Sequence, residues 1–384
     1  MKKYFKIFQI IFISLVYLYP ISVCSEEKIK IGLLVPMTGD DKKLGKLIIE
    51  SVRIALKDID TNQLEIYPKD SGINPTQTLK SAFELKEMGV NIVIGPIFHK
   101  NLSYLEEVEN VIFLSLTNKT IDLPKNVISS GVNATSQLNT IKKFISLKEI
   151  NKTIFLTPKL DYETEIKKGI KNSKIKISKH YIYETEPTKL TSQIEKITNY
   201  KKRKQNLLDE IKRVEESDLI DKEKQLEKLE KIYTIGDVNF DSVIISDFDE
   251  SLKSVITSLL YTDVSPKKKI IIAFNQWFDE SLLKEKSIQP IYYPSINKKN
   301  LDDFKEKFFN EFNEYPNYLS LLSYDLVGLI YYLSFNNDLN DLGKLFKKRN
   351  SFKGKIGIFN IKDNKINHIL NLYEIRNGKL TEIF

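Results

Sequence analysis

The chain has 384 residues, of which 41% are hydrophobic and 29% charged, and its formal net charge is +8. With one cysteine and three histidines far apart in sequence, it lacks the residues for a disulfide framework and argues against a histidine metal site or a histidine-based catalytic triad. Acidic and basic residues are interspersed, which is typical of a solvated mixed-charge surface and not of nucleic-acid binding.

The first 24 residues have the pattern of a secretory signal peptide. Three lysines precede an apolar run from Ile7 to Tyr19, and small residues follow. The run is short for a membrane span, so a cleaved signal is favoured over an uncleaved anchor. Cleavage after Cys24 and lipid modification of Cys24 in the lipobox-like "ISVC" are left open as alternatives. Both export the chain to the periplasm, and a lipid at Cys24 would be its sole membrane contact.

Strand and helix patterns then alternate along the chain. Buried strand patterns occur, in order, at "KIKIGLLV", "QLEIYPKD", "VNIVIGP", "NVIFLSLT", "KTIFLTP", "KIKISKHYIY", "FDSVIISD" and "KKIIIAF". Helical patterns occupy residues 42–59, 75–89, 102–108, 134–147, 161–172, 249–260, 301–312 and 319–333. Repeated β-α units predict parallel sheets with right-handed crossovers. The C-terminal segment predicts antiparallel strands that turn at Asp363–Asn364 and at Asn377–Gly378.

Residues 201–231 interrupt this alternation with ten basic and nine acidic side chains. Thin apolar stripes on either side of Ser217–Asp218 predict an antiparallel helical hairpin, inserted at residues 199–233. A solvated helix pair without a partner is favoured, because helices with such charge patterns are usually just exposed. A docking arm for a partner protein is the alternative.

The stretch "IGLLVPMTGDDKKLGK" approaches a phosphate-binding loop without matching it. Five residues separate Gly39 from Gly45, and Leu47 occupies the position of the magnesium-binding Ser or Thr. Asp40 and Asp41 would place carboxylates where phosphate charge must lie. The stretch therefore predicts a strand, a loop and a helix, and not a nucleotide site.

Catalytic motifs are missing as well, since the sequence contains neither G-x-S-x-G nor H-E-x-x-H. Asp161, Asp247 and Asp279 follow predicted strands, where open α/β sheets bind ligands, although helix capping is the favoured interpretation of each. Trp277 and the Tyr292–Tyr293 pair would line a cleft or, more commonly, fill a core. The sequence predicts a protein that is not an enzyme and needs no cofactor or metal.

The order of several segments resembles the type I periplasmic binding proteins of the Leu/Ile/Val-binding kind. The segments are "IGLLVPMTG", "VIGPIF", "VIFLSLTN", "LSYDLVGLIYYL" and "GKIGIFNIKDN". The charged insertion and the segment after it are most similar to the branch of penicillin-binding-protein activators. This branch uses the same fold to regulate peptidoglycan synthases.

The resemblance implies an α/β fold of two doubly wound, Rossmann-like lobes, with the charged helical hairpin inserted in lobe two. Lobe one would comprise residues 28–132 and 295–345, and lobe two residues 133–293 and 350–384. Three chain crossings would join the lobes, near Gly131–Asn133, Tyr292–Pro294 and Asn337–Ser351.

The resemblance also implies a ligand site in the cleft between the lobes. The matching positions, in chain order, are Leu44, His99, Ser115, Thr117, Asn118, Tyr162 and Asn275. Asn275 would replace the acid that holds a ligand ammonium in relatives that bind amino acids. Because a buried ammonium without a carboxylate is poorly compensated, recognition of an ordinary amino acid is not expected.

Two functions follow from the resemblance. The favoured one is regulation of peptidoglycan synthesis in the cell envelope, with a penicillin-binding protein as partner. The alternative is a solute receptor that delivers an amino acid or another small polar molecule to an ABC permease.

Overall fold

The computed structural model describes residues 28–335, 346, 350–355, 357–362 and 365–384. The predicted signal peptide, Cys24 and the turn at Asp363–Asn364 lie outside the described residues, as does most of the crossing predicted at Asn337–Ser351.

The first sheet is fully parallel and has the strand order β2-β1-β3-β4-β5. Its strands are β1 (Ile29–Val35), β2 (Leu64–Asp70), β3 (Ile92–Ile94), β4 (Ile112–Ser115) and β5 (Val127–Ser129). The helices that pack with it are α1 (Lys42–Ile59), α2 (Pro75–Glu87) and, from much later in the chain, α10 (Lys298–Phe312) and α11 (Tyr318–Ser334). The order places a switch point between β1 and β3, where open α/β sheets bind ligands.

The second sheet has the order β15-β14-β10-β9-β8-β6-β7, and two antiparallel strands extend its parallel core. Its strands are β6 (Thr153–Pro158), β7 (Lys179–Tyr183), β8 (Ser242–Ile245), β9 (Ile270–Ala273), β10 (Ile291–Ser295), β14 (Asn371–Arg376) and β15 (Lys379–Glu382). The helices of this part are α3 (Ala134–Leu147), α4 (Glu163–Ser173), α5 (Pro187–Ile197), α6 (Tyr200–Glu215), α7 (Lys222–Glu230), α8 (Asp249–Tyr261) and α9 (Ser281–Lys284). The two sheets confirm the predicted two-lobe fold of the type I periplasmic binding proteins.

A small antiparallel sheet closes the architecture, and its strands are β11 (Asn350–Lys353), β12 (Ile358–Lys362) and β13 (Lys365–Ile369). Phe359, Ile361 and Ile366 belong to the same buried cluster as β1 and α1. The strands that follow, β14 and β15, pair with the second sheet. The predicted lobe boundaries remain a proposal, within which residues 350–369 contribute side chains to the core of lobe one.

Several elements differ from the sequence prediction, which includes neither strand β10 nor helices α5 and α9. The helix expected over residues 102–108 is wrong, because two short 3-10 turns, His99–Leu102 and Leu105–Glu107, occupy this region. Leu102, Leu105 and Val108 are buried at three-residue spacing, and this spacing fits a 3-10 turn as well as an α-helix. Strand β5 was not predicted, since its three residues are too short to show a period.

The charged insertion contains α6 and α7, which contact each other and are joined through residues 216–221. Arg203 fixes its base, although most of the segment is exposed. The guanidinium is buried and donates to the carbonyls of Gly236 and Thr262, each at 3.0 Å, and to Oγ1 of Thr234 at 2.8 Å. The Asp263 carboxylate lies 3.7 Å away. A buried cation needs this complete set of acceptors to offset its lost hydration.

We expect Arg203→Met to lower the free energy of unfolding by about 3 kcal/mol, because it leaves buried acceptors and a carboxylate without their donor. Urea unfolding followed by circular dichroism measures the change. The matched control on the same helix is Arg213→Met, which removes an exposed pair with Glu210 and should cost less than about 0.5 kcal/mol. Equal effects of the two substitutions would contradict the anchoring role.

Candidate functional site

A cavity of about 480 Å³ lies where the carboxyl ends of the two parallel sheets face each other. Its walls come from the loops after β1, β3 and β4 in lobe one, from the loops after β8 and β9 in lobe two, and from the first crossing and the start of α11. The lining residues are Leu44, Ile97, Phe98, His99, Lys100, Leu116, Thr117, Asn118, Lys119, Gly131, Val132, Gln137, Phe248, Asn275, Trp277, Tyr318, Leu319 and Leu322.

The glycine loop brings Leu44 to the cavity through a close backbone approach. A Cβ at Gly45 would lie 1.8 Å from the carbonyl oxygen of Pro36, so this position accepts glycine alone without a shift of α1. The first turn of α1 therefore packs directly on the end of β1. Asp40 and Asp41 of the same loop are exposed and do not line the cavity.

The loop after β4 and the first crossing are held together at the floor of the cleft. The carbonyl oxygen of Thr117 accepts hydrogen bonds from Ser129 Oγ at 2.7 Å and from the Gly131 amide at 2.9 Å. A Cβ at Gly131 would lie 2.6 Å from that same oxygen. The predicted crossing thus meets the predicted strand-end loop, and both line the cavity.

Asn275 presents a buried donor from lobe two. Its Oδ1 accepts from the Trp277 amide at 2.9 Å and from Ser295 Oγ at 2.8 Å. A backbone N–H can donate but not accept, so these bonds fix which end of the side-chain amide carries oxygen. The remaining Nδ2 is buried and has no hydrogen-bond partner within the described part of the chain. Gln137, a neighbour on the cavity wall, accepts from the backbone amide of Asn275 at 2.7 Å.

An aromatic stack joins the two lobes across the cavity. The rings of Trp277 and Tyr318 lie 4.2 Å apart between centroids and 15° from parallel. Trp277 (φ 48°) and Phe278 (φ 60°) both lie in the left-handed region, which costs about 1 kcal/mol or more for each such residue. Phe278 packs edge-on against Tyr373, and this contact helps to hold the strained turn that presents Trp277.

The basic side chains on the described cavity wall are His99, Lys100 and Lys119, and this wall has no carboxylate. Asp247 is a nearby buried carboxyl, next to the lining residue Phe248. Its oxygens accept from Tyr183 Oη and from the Phe248 amide. Burial raises the pKa of the Asp247 carboxyl above its usual range. The cavity wall is therefore neutral to positive.

The structure brings five of the seven predicted site residues to this cavity, namely Leu44, His99, Thr117, Asn118 and Asn275. Ser115 instead donates to the carbonyl of Pro96 at 2.7 Å inside lobe one. Tyr162 donates to the carbonyl of Ser246 at 3.0 Å and contacts the ring of Phe248 from behind the wall.

The sequence analysis missed several aromatic residues of the wall, including Phe98, Phe248 and Tyr318. The run "VIGPIFHK" could have indicated Phe98, since the residue stands next to the predicted His99. Of the aromatic candidates, Trp277 lines the cavity, whereas Tyr292 and Tyr293 are buried in the core of lobe two. Asp279 accepts from the Ser281 amide at 2.8 Å, as a cap does, but α4 takes Tyr162 and not Asp161 as its N-cap residue.

A second set of hydrogen bonds joins the first crossing to strand β13 behind the cavity. Asn133 caps α3 and donates from Nδ2 to the carbonyl of Ile366 at 3.1 Å. His368 lies at the same junction, where its Nε2 donates to the carbonyl of Ser130 at 2.7 Å. Burial lowers the pKa of His368 to about 4. The junction is therefore built around a neutral imidazole.

Within the described residues, no group of three or more His, Cys, Asp or Glu side chains is placed to hold a metal ion. In the same part of the chain, helices that combine the length and the apolar character of a membrane span are absent.

Comparison with known proteins agrees with this geometry. Residues 28–201 match the model of a periplasmic binding protein family. No curated protein matches the sequence.

Solved structures of two kinds share the fold. An ABC transporter substrate-binding protein from Desulfitobacterium hafniense, in complex with Leu, has a TM-score of 0.59 at 14% identity, over 93% of this chain and 100% of that one. The C-domain of Haemophilus influenzae LpoA, a regulator of PBP1A, has a TM-score of 0.61 at 14% identity, over 92% of this chain and 100% of that one. A leucine-binding protein, LivK from Thermotoga maritima, has a TM-score of 0.55 at 15% identity, over 93% of this chain and 98% of that one.

The chain thus has the fold of the type I periplasmic binding proteins, as its sequence predicted. The matched family model is described as a periplasmic binding protein, and the neighbours are described as substrate-binding proteins or as a regulator. The family match also favours a location in the periplasm or cell envelope.

We expect the junction between the first crossing and β13 to weaken in acid. His368 has an ordinary pKa of about 6.5 when unfolded, and the folded pKa is lower, so the unfolded chain binds more protons between these values. Its contribution is therefore complete above pH 6.5 and is lost as the pH falls towards 4, for a total of about 3 kcal/mol.

Denaturant unfolding at pH 7 and at pH 4 measures this loss, with His368→Gln as the control, because glutamine keeps a donor for Ser130 and has no proton to gain. The wild-type chain should lose about 3 kcal/mol more than the variant over this interval. Equal losses would show that His368 does not titrate with the lowered pKa.

Proposed function

We propose that the chain is an exported binding protein that regulates a peptidoglycan synthase in the cell envelope. Its charged insertion would be the docking surface. Helix α7 carries the observation, since each of its residues, all within the described part of the chain, is exposed or half-buried. Leu208 on α6, Ile220 in the connection and Tyr233 beyond α7 are exposed apolar side chains on the same insertion. Apolar side chains displayed on a solvated helix pair favour a protein partner.

Two further points support this role. The C-domain of Haemophilus influenzae LpoA, named as a regulator of PBP1A, shares the fold over nearly all of this chain. Arg203 holds the base of the insertion rigidly against lobe two, so a partner bound to the helices would sense the position of that lobe. The signal peptide and the two alternatives at Cys24 belong to the same proposal, since both place the chain beside envelope synthases.

Most of the insertion can be removed while the contacts of Arg203 at its base are kept. The Ile235 amide donates to the Arg203 carbonyl at 3.0 Å, so a short Gly-Ser linker in place of residues 206–232 closes the gap. We expect the shortened chain to keep its thermal stability and to lose co-purification with a penicillin-binding protein, detected in envelope extracts with a labelled penicillin.

A triple variant, Leu208→Ser, Ile220→Ser and Tyr233→Ser, should weaken the same capture while leaving the fold intact. The matched control replaces Tyr104 and Leu147, which are exposed apolar residues outside the insertion, and should retain the partner. Undiminished capture of the penicillin-binding protein by the shortened chain would contradict the docking role of the insertion.

A solute receptor is the second candidate, and the cavity between the lobes favours it. A volume of about 480 Å³ falls within the range of small-molecule sites. We assign Leu44, His99, Thr117, Asn118 and Asn275 as ligand contacts, with Ser115 and Tyr162 as supports behind them. The three crossings would let the lobes close on the ligand.

A metabolite screen by thermal unfolding tests the receptor. A ligand at about 100 times its dissociation constant should raise the Tm by about 3 °C, given the length of the chain. The rise should vanish in Trp277→Ala, which empties part of the wall, and persist in the exposed control Tyr104→Ala. A broad screen without any rise would count against a solute receptor and leave the docking proposal untouched.

A further inference from the structure

We infer that the cleft cavity takes a small organic acid that has no ammonium group, with the apolar body of the acid against Trp277 and Tyr318. The inference rests on the proposal that the cleft binds a solute, and it names the chemical class of that solute. It holds whether the solute is delivered to a permease or sensed by an envelope regulator.

The charges on the wall select against a cation. His99, Lys100 and Lys119 line the cavity, and Asp and Glu do not occur among its described lining residues. A ligand ammonium would leave water for a surface that offers no opposite charge, which is strongly unfavourable. A carboxylate in the same place would be attracted by two lysines, and the partly enclosed site strengthens this attraction relative to bulk water.

The buried carboxyl of Asp247 does not supply the negative charge that a ligand ammonium would need. Asp247 precedes the lining residue Phe248, but its own side chain is outside the lining set. Oδ2 accepts from Tyr183 Oη, and Oδ1 accepts from the Phe248 amide at 2.9 Å. Each oxygen therefore already accepts a hydrogen bond inside lobe two, and the carboxyl is not part of the described cavity lining.

Asn275 requires an acceptor from the ligand. Its orientation is fixed by the Trp277 amide, and its Nδ2 is buried without a partner in the described structure. Buried donors in folded proteins almost always find an acceptor. If the atoms that cover Nδ2 shift on binding, a carboxylate or carbonyl oxygen of the ligand would satisfy it, whereas a ligand ammonium would add a second donor beside the first.

The aromatic residues of the cavity wall indicate the chemistry of the rest of the ligand. Phe98 and Phe248 join the stacked pair of Trp277 and Tyr318, so flat or branched apolar groups find ring faces and edges to pack against. The cavity of about 480 Å³ accommodates one or two rings. The matching compounds are aryl or branched alkyl carboxylic acids.

The test is a panel of compounds matched in the apolar body. The acids are 3-phenylpropionate, indole-3-acetate and 4-methylpentanoate, and each is compared with the corresponding amine, amino acid and neutral alcohol. Calorimetry and thermal unfolding with the full chain measure binding. At least one acid should bind at least about 10-fold more tightly than its amino acid and its amine.

Two sets of variants locate the effect. Asn275→Asp places a carboxylate on the wall and should abolish binding of the acid while improving that of the amine. The control is Asn151→Asp, an exposed position just before β6, at the end of the second sheet away from the cavity. The double variant Lys100→Gln with Lys119→Gln, both on the surface of the cleft, should weaken binding of the acid and reduce the salt dependence of its affinity. Their control is Lys80→Gln on the exposed side of α2.

Each outcome bears on the inference. Preferential binding of an acid, reversed by Asn275→Asp, supports it. Tighter binding of an amine or an amino acid overturns it and leaves cleft binding standing. Failure of all the acids also overturns it, and the receptor proposal itself falls only if the broad metabolite screen is negative as well.

Discussion

The cleft depends on how closely the first chain crossing packs against the loop after β4. Gly131 lies so near Thr117 that a single added methyl group would clash with the carbonyl oxygen, which already accepts two hydrogen bonds. This contact fixes the floor of the cavity and the place where the chain leaves lobe one. Because Thr117 and Gly131 both line the cavity, this contact sets their spacing at its floor.

Each lobe supplies a different part of the site because each sheet ends in different loops. Lobe one contributes the basic and hydroxyl side chains around His99 and Thr117, whereas lobe two contributes the amide of Asn275 and the ring of Trp277. Neither lobe alone encloses a ligand. The chemistry of the cavity is set by the lack of a carboxylate among its described lining residues as much as by the side chains that line it.

The sequence predicts the fold well because its signals are local. The helix expected over residues 134–147 is observed as Ala134–Leu147, with Asn133 as its capping residue. The site is predicted less completely, because side-chain direction is not a local property. Ser115 belongs to β4 itself, so strand alternation turns it into the lobe, whereas Thr117 lies beyond the strand and reaches the cavity. Tyr318 meets Trp277 across two lobes, and no sequence period connects them.

Trp277 is the sole tryptophan of the chain, and it stands where the lobes meet. Its indole is stacked on Tyr318 of the opposite lobe, so separation of the lobes, or a guest lying between the rings, must change the surroundings of the indole. The tryptophan emission of the protein therefore arises from its cleft. The molecule carries a natural optical reporter of opening and closing, and no added dye is needed to follow either.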